Sequence, residues 1–243
     1  MLWPARHEAV AALASAVLFA LAFPPVPLLI PVFVCLVPMA IGIARQADGD
    51  GTVRGAARIG FWFAIVGYGS ALYWIAGALS LFTKLAILGF VGAIVWLGIM
   101  VAIVAMALYA VRRVTKLPLA ILLPVAWTSG ELVLAHFPDL SFPWLPLGLA
   151  TVQVPVLAQL AEVSGVRGVS FWVAAVNGLV ADLWMLHRAR SAAGTSQGFW
   201  TSAAAMGRVG AIAAIFATGI IRPLIFDTCV NRITFVFGVN CFR

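Results

Sequence analysis

The stretch "SGELVLAHFPDLSFPWLPLG", residues 129–148, sets Glu131, His136 and Asp139 close together inside an otherwise apolar sequence. An ionisable group deep in a membrane span costs at least about 2.5 kcal/mol and is normally turned inward, so Glu131 is the most informative polar position in the chain. Its carboxylate could bind or orient a polar headgroup, or shuttle a proton. It could equally be a structural acid bonded to His136 or to backbone freed by the neighbouring prolines. Trp127 precedes it by four residues and shares its helical face. His136 and Asp139 flank Pro138 and are placed to pair with each other at the membrane boundary.

Other polar residues read as structural. Gln159 and Glu162 are three apart and can share a helical face, and Asn177 has the character of a residue that bonds across helices. Asp182 lies near the basic group His187, Arg188 and Arg190, which predicts an ion pair at a helix end. Cys35, Cys229 and Cys241 have neither a CxxC spacing nor a histidine nearby, so no metal, cofactor or disulfide framework is indicated.

The elements that must position these residues are membrane helices. The 243 residues are 64% hydrophobic and 9% charged with a mean hydropathy of +1.10, against roughly a quarter charged in a soluble domain. The net charge of +7 does not imply nucleic acid, because the basic residues fall in small groups between apolar runs, with no stripe for a phosphate backbone. The sequence therefore predicts an all-α integral membrane protein. Apolar segments near 9–24, 27–44, 59–80, 85–111, 117–136, 168–187 and 203–222 make about seven transmembrane helices.

The first of these imitates a signal peptide but is read as a retained span, because more spans follow. "FPPVP", residues 23–27, forces a tight turn between the first two. "GYGSALYWIAGAL", residues 67–79, carries small residues for close helix approach, with Tyr73 and Trp74 near the outer interface. Residues 137–167 hold Pro138, Pro143, Pro146 and Pro155 and cannot be one straight helix. They are expected to form a proline-rich segment on the outer side, folded back onto the surrounding helices, with Trp144 at the headgroup boundary.

Basic residues mark the cytoplasmic side of a membrane protein. With Arg6 inside, the inner loops hold Arg45, Arg54, Arg58, Arg112, Arg113, Lys116, Arg188, Arg190 and Arg208, and the outer side Lys84, Arg167, Arg222, Arg232 and Arg243. This places the N-terminus in the cytoplasm and, with an odd number of spans, the C-terminus in the periplasm.

Taken in order, "LAFPP", "LYWIAGAL", "AWTSGE", "FPWLPLG" and "LAEVSGVRGVSFWVAAVNGLVA" resemble the membrane half of the bacterial apolipoprotein N-acyltransferase family over about residues 15–185. The resemblance implies a multi-pass protein of the bacterial inner membrane. It also implies a phospholipid acyl donor and a diacylglyceryl apolipoprotein acceptor as partners, alongside membrane lipids and without nucleic acid. In that family an acyl chain passes through a cysteine thioester to the α-amino group of the lipoprotein's N-terminal diacylglyceryl-cysteine. An activated thiol, a base and an oxyanion donor are needed, and a Glu-Lys-Cys triad in a nitrilase-like domain supplies them. On this reading Trp127, Glu131, Phe142, Pro143 and Trp144 shape the lipid-facing entrance below that domain.

The chain departs from the family after its last span. Residues 1–222 form the expected membrane domain, and 223–243 an atypical tail with the look of a shifted frame or truncation. Lys84 and Lys116 are the only lysines and no glutamate follows Glu162, so no catalytic residue carries over, and Cys229 and Cys241 are rejected as nucleophiles. The expectation is a chain inactive alone, whose soluble half a separate chain could supply. The alternative is a non-enzymatic membrane protein, a small transporter or an assembly partner, in which Glu131 faces a polar path.

Overall fold

The structure, a computed structural model, describes residues 3–26, 28–154, 157 and 159–194, together with Gly207 and Gly210. Among these residues every regular element is helical: α1 (Arg6–Ala22), α2 (Leu29–Val32), α3 (Val37–Asp48), α4 (Val53–Ala71), α5 (Tyr73–Ser80), α6 (Ala86–Thr115), α7 (Leu119–His136), a 3-10 turn (Leu147–Thr151) and α8 (Ala161–Ala192). Among the described residues four segments are long and apolar enough to cross a membrane, Leu29–Asp48 (α2 with α3), Ala86–Thr115, Leu119–His136 and Ser164–Ala192, or five if α4 and α5 count as one bent span. The predicted segment 203–222 and the tail 223–243, with Cys229 and Cys241, lie outside the described residues except for Gly207 and Gly210.

The six predicted segments within the described residues coincide with helices, but α1, over the first of them, is not among those four or five spans, and three others need correction. Residues 59–80 are not one straight span, since α4 and α5 meet at 52°. Leu72 leaves the helical region at the joint (φ −105°, ψ 6°) while its N–H still reaches Tyr68 O, and α5 buries none of its residues. The second span is interrupted between Val32 and Val37, and Pro38 stands in the first turn of α3, where its missing N–H costs nothing. The last described span starts earlier than 168, because α8 runs from Ala161 through a kink at Gly165, whose φ of +66° suits glycine. The "FPPVP" turn holds a cis Pro24–Pro25 peptide and is closed by Leu28 N–H on Leu21 O at 2.8 Å.

In lipid there is little hydrophobic gain from pairing apolar helices, so close packing and polar contacts must hold the bundle. Helix α3 sits at its centre against α1, α4, α6 and α8, while α4 packs on α6 and α1, and α7 on α8. Only 22% of the most apolar stretch of α6 is buried, against 61% for α8, so α6 stands at the lipid-facing rim. Phe19 gathers Phe23, Phe63 and Tyr68 around it at ring distances of 4.8, 5.5 and 4.9 Å.

The interruption between α2 and α3 frees backbone groups that lipid cannot satisfy. Asn177 of α8 meets two of them: its Oδ1 accepts Leu36 N–H at 2.8 Å and its Nδ2 donates to Val32 O at 2.9 Å. Ser15 Oγ of α1 accepts Met39 N–H at 2.8 Å. The predicted cross-helix role of Asn177 is thus a repair of a broken helix.

Charges meet at one end of the bundle, where α1 begins, α3 ends and α4 begins. Arg58 donates to both oxygens of Glu8, from Nε at 2.8 Å and Nη2 at 2.7 Å. Arg112 donates to Asp48 at 2.7 Å, and Lys116 approaches the same carboxylate at 3.3 Å. Asp182 does not pair with His187, Arg188 or Arg190 as expected. It accepts Leu119 N–H at 3.1 Å and Ala120 N–H at 3.0 Å, capping the N-terminus of α7, with Arg112 4.0 Å away. The partners predicted on its own helix lose to orphaned N–H groups that a helix start supplies and that attract negative charge.

Candidate functional site

Glu131 lies near the C-terminal end of α7, the end at which the chain folds back. Ser141 Oγ donates to Ala135 O at 2.8 Å and Phe142 N–H to Leu134 O at 3.1 Å, so the segment after Pro138 returns along the helix it has just left. Leu145 holds φ at +54°, a left-handed conformation that costs a leucine roughly 1–2 kcal/mol, and Pro146 then starts the 3-10 turn.

Both neighbouring helices grip that turn. Glu131 Oε1 accepts Leu147 N–H at 2.7 Å and Trp127 Nε1–H at 2.9 Å. Ser170 Oγ of α8 accepts Gly148 N–H at 2.8 Å. These are the unpaired donors that open any helical turn. Gly148 lies so close to α8 that an added Cβ would fall 2.6 Å from Val166 O and 2.8 Å from Ser170 N, and no residue with a side chain fits. Of the two structural readings of Glu131, the bond to freed backbone is present and the bond to His136 is not, since His136 Nδ1 faces Leu132 O at 2.9 Å. His136 and Asp139 are not bonded to each other.

The remaining entrance residues gather on the rim. Trp144 stacks on Phe142 at 5.8 Å and on Trp74 of α5 at 6.0 Å, and Trp74 and Trp144 are each 49% exposed. A cavity of about 80 Å3 lies behind them, lined by Tyr68, Glu131, Phe142, Pro143, Trp144 and Arg167 among others. Tyr68, Glu131 and Leu134 also line a second cavity of about 30 Å3, which shares Met100, Val104 and Gly130 with a third of about 520 Å3. The third is an apolar groove between α6 and α7 that includes Ile103, Leu122 and Val133. Ligand pockets run about 300–1,000 Å3, so the groove is of ligand size and the cavity at Glu131 holds only a small group.

The structure therefore brings Trp127, Glu131, Phe142, Pro143 and Trp144 into one neighbourhood. It adds Tyr68, Arg167 and Ser170, which sequence spacing does not bring to Glu131. Ser170 precedes Asn177 by seven residues, two helical turns on one face, and that periodicity was the available signal. Gln159 and Glu162 do not line the cavity. Cys35 is buried and its Sγ donates to Val32 O at 3.3 Å. Among the described residues no three His, Cys, Asp or Glu side chains converge.

Residues 15–179 match the family described as the apolipoprotein N-acyltransferase N-terminal domain. An apolipoprotein N-acyltransferase of Geobacter metallireducens is 30% identical over 175 residues, which are 71% of this chain and 32% of that relative. The chain thus spans about a third of the relative's length. An all-helical, multi-pass membrane bundle with these motifs in order, matched over most of its length, belongs to the apolipoprotein N-acyltransferase N-terminal domain family.

Proposed function

We propose that this chain is the membrane part of an apolipoprotein N-acyltransferase, and that the site around Glu131 admits the phospholipid whose acyl chain is transferred to a lipoprotein's diacylglyceryl-cysteine. The observation that carries the reading is the run of three cavities sharing walls, from the lipid-facing groove of α6 and α7, past Glu131, to the aromatic rim of Phe142 and Trp144. An acyl chain suits the groove, which is almost wholly apolar. Trp144 and Trp74 suit the headgroup boundary, and Arg167 can meet a phosphate.

In this reading Glu131 performs no bond making. Its Oε1 fixes the turn that carries Pro143 and Trp144, and so sets the shape of the entrance. Residues 1–222 form the membrane domain and 223–243 a separate tail. The end bearing Arg6, Arg45, Arg58, Arg112 and Arg188 faces the cytoplasm of a bacterial inner membrane, with the N-terminus there and the C-terminus in the periplasm.

The test is photocrosslinking of the chain in nanodiscs containing a phospholipid with a diazirine at an acyl terminus. We expect adducts concentrated on the groove, around Val104 and Gly130, and reduced severalfold by Glu131→Ala. Adducts spread evenly over every lipid-facing helix would overturn the entrance. The same preparation should form no acyl thioester on Cys229 or Cys241 and should not acylate a diacylglyceryl-cysteine peptide. Substrate flux through liposomes that Glu131→Gln abolishes would instead establish the transporter reading.

A further inference from the structure

At the end of the bundle opposite Glu131, a groove of about 390 Å3 opens between α1, α3 and α8. Its wall is apolar, formed by Val10, Ala14, Pro38, Ile41 and the Trp184 ring, and its rim carries His7, Arg45 and Arg188. The Arg188 guanidinium lies 5.7 Å from the centre of the Trp184 ring, so a cation and an indole share one edge of the groove. Along α1 the lining runs from His7 to Ala14, about 10 Å at 1.5 Å per residue. That is about two-thirds of one leaflet's hydrocarbon depth, itself about 15 Å.

The charges around the groove are unbalanced. Glu8 is held by Arg58, Asp48 by Arg112 and Lys116, and Asp182 by the start of α7. Among the described residues the other carboxylate at this end, Asp50, does not line the groove. Arg45 and Arg188 are exposed, and among the described residues neither has a carboxylate partner. An apolar trough closed at its mouth by two guanidinium groups that have no carboxylate partner among the described residues is complementary to an acyl chain ending in a phosphate. A choline or ethanolamine group would bring a further cation against Arg45 and Arg188, so a headgroup with net negative charge is favoured over a zwitterionic one.

We propose that the α1/α3/α8 groove is a binding site for one anionic phospholipid, with its phosphate between Arg45 and Arg188 and an acyl chain along Val10, Ala14 and Ile41. The site is separate from the Glu131 entrance and occupies the other leaflet.

The experiment is native mass spectrometry of the delipidated full chain, titrated with phosphatidylglycerol or phosphatidylcholine of identical acyl chains. The wild type should retain phosphatidylglycerol preferentially. Arg45→Gln/Arg188→Gln should lower that preference about thirtyfold, as expected for removing two charges near a headgroup. Arg45→Lys/Arg188→Lys should keep most of it, which separates charge loss from misfolding. Arg54→Gln removes an exposed charge at the same end but outside the groove, and should change the preference less than about twofold. An undiminished preference in Arg45→Gln/Arg188→Gln, or an equal loss in Arg54→Gln, would overturn the site and leave only a general attraction to a basic surface.

Discussion

At the scale of single residues, one carboxylate oxygen joins two pieces of chain. Glu131 Oε1 holds Trp127 on its own helix and Leu147 on the returning segment, so removing it leaves two donors unmet in an apolar setting. Glu131→Ala is expected to cost about 1–3 kcal/mol, read as a lower unfolding midpoint in detergent. Glu131→Gln keeps an acceptor and should cost less than half as much. The pair also shows what spacing can reveal. Trp127 and Glu131 are one helical turn apart and their meeting was legible. The fold-back after Pro138 and a bond from Glu131 to freed backbone were legible from the prolines, but Leu147 as the partner was not, because its register depends on the left-handed Leu145 and no period in the sequence sets it. The spacing from Asn177 marks the face of Ser170, but its partner, 22 residues away on that returning segment, was hidden for the same reason.

Elements show a similar division. Length and hydropathy made the apolar helices readable, since a bilayer demands both. The breaks within them were harder: the bend at Leu72 has no proline to announce it, and Pro38 marks the interruption before α3 only once Ser15 and Asn177 are known to serve the freed backbone. Asp182 belongs to this scale. It supplies from α8 the cap that α7 cannot draw from Pro118, which offers no side-chain acceptor. Asp182→Ala should lower stability by about 1–2 kcal/mol, and hydrogen exchange should quicken first at Leu119 and Ala120. Asp182→Asn keeps an oxygen for one of those donors and should fall between the two.

For the whole molecule, the charged end works as a clasp across α1, α3, α4 and α6. Glu8, one residue before the first apolar stretch, is buried, and burial raises its pKa. The bidentate bond from Arg58 and the Ala5 N–H at 2.8 Å lower it by more, and the net position is below the ordinary glutamate value. Its stabilisation is therefore complete at neutral pH and is lost as pH falls through that lowered value. Unfolding midpoints measured from pH 7 to pH 3 should fall more steeply for the wild type than for Glu8→Gln, which has no proton to gain. Equal slopes would remove Glu8 from the clasp.

The bond between Asn177 and the gap in the second span reaches 141 residues along the chain, from Leu36. A ribosome adding about 5–20 residues per second needs roughly 7–28 s to cover that distance. During that interval the first hairpin has emerged while the side chain that completes it has not been made, and Leu36 N–H and Val32 O must be tended by water, by the insertion machinery or by each other. Biogenesis therefore has an order built into it: the gap between α2 and α3 closes only when α8 arrives.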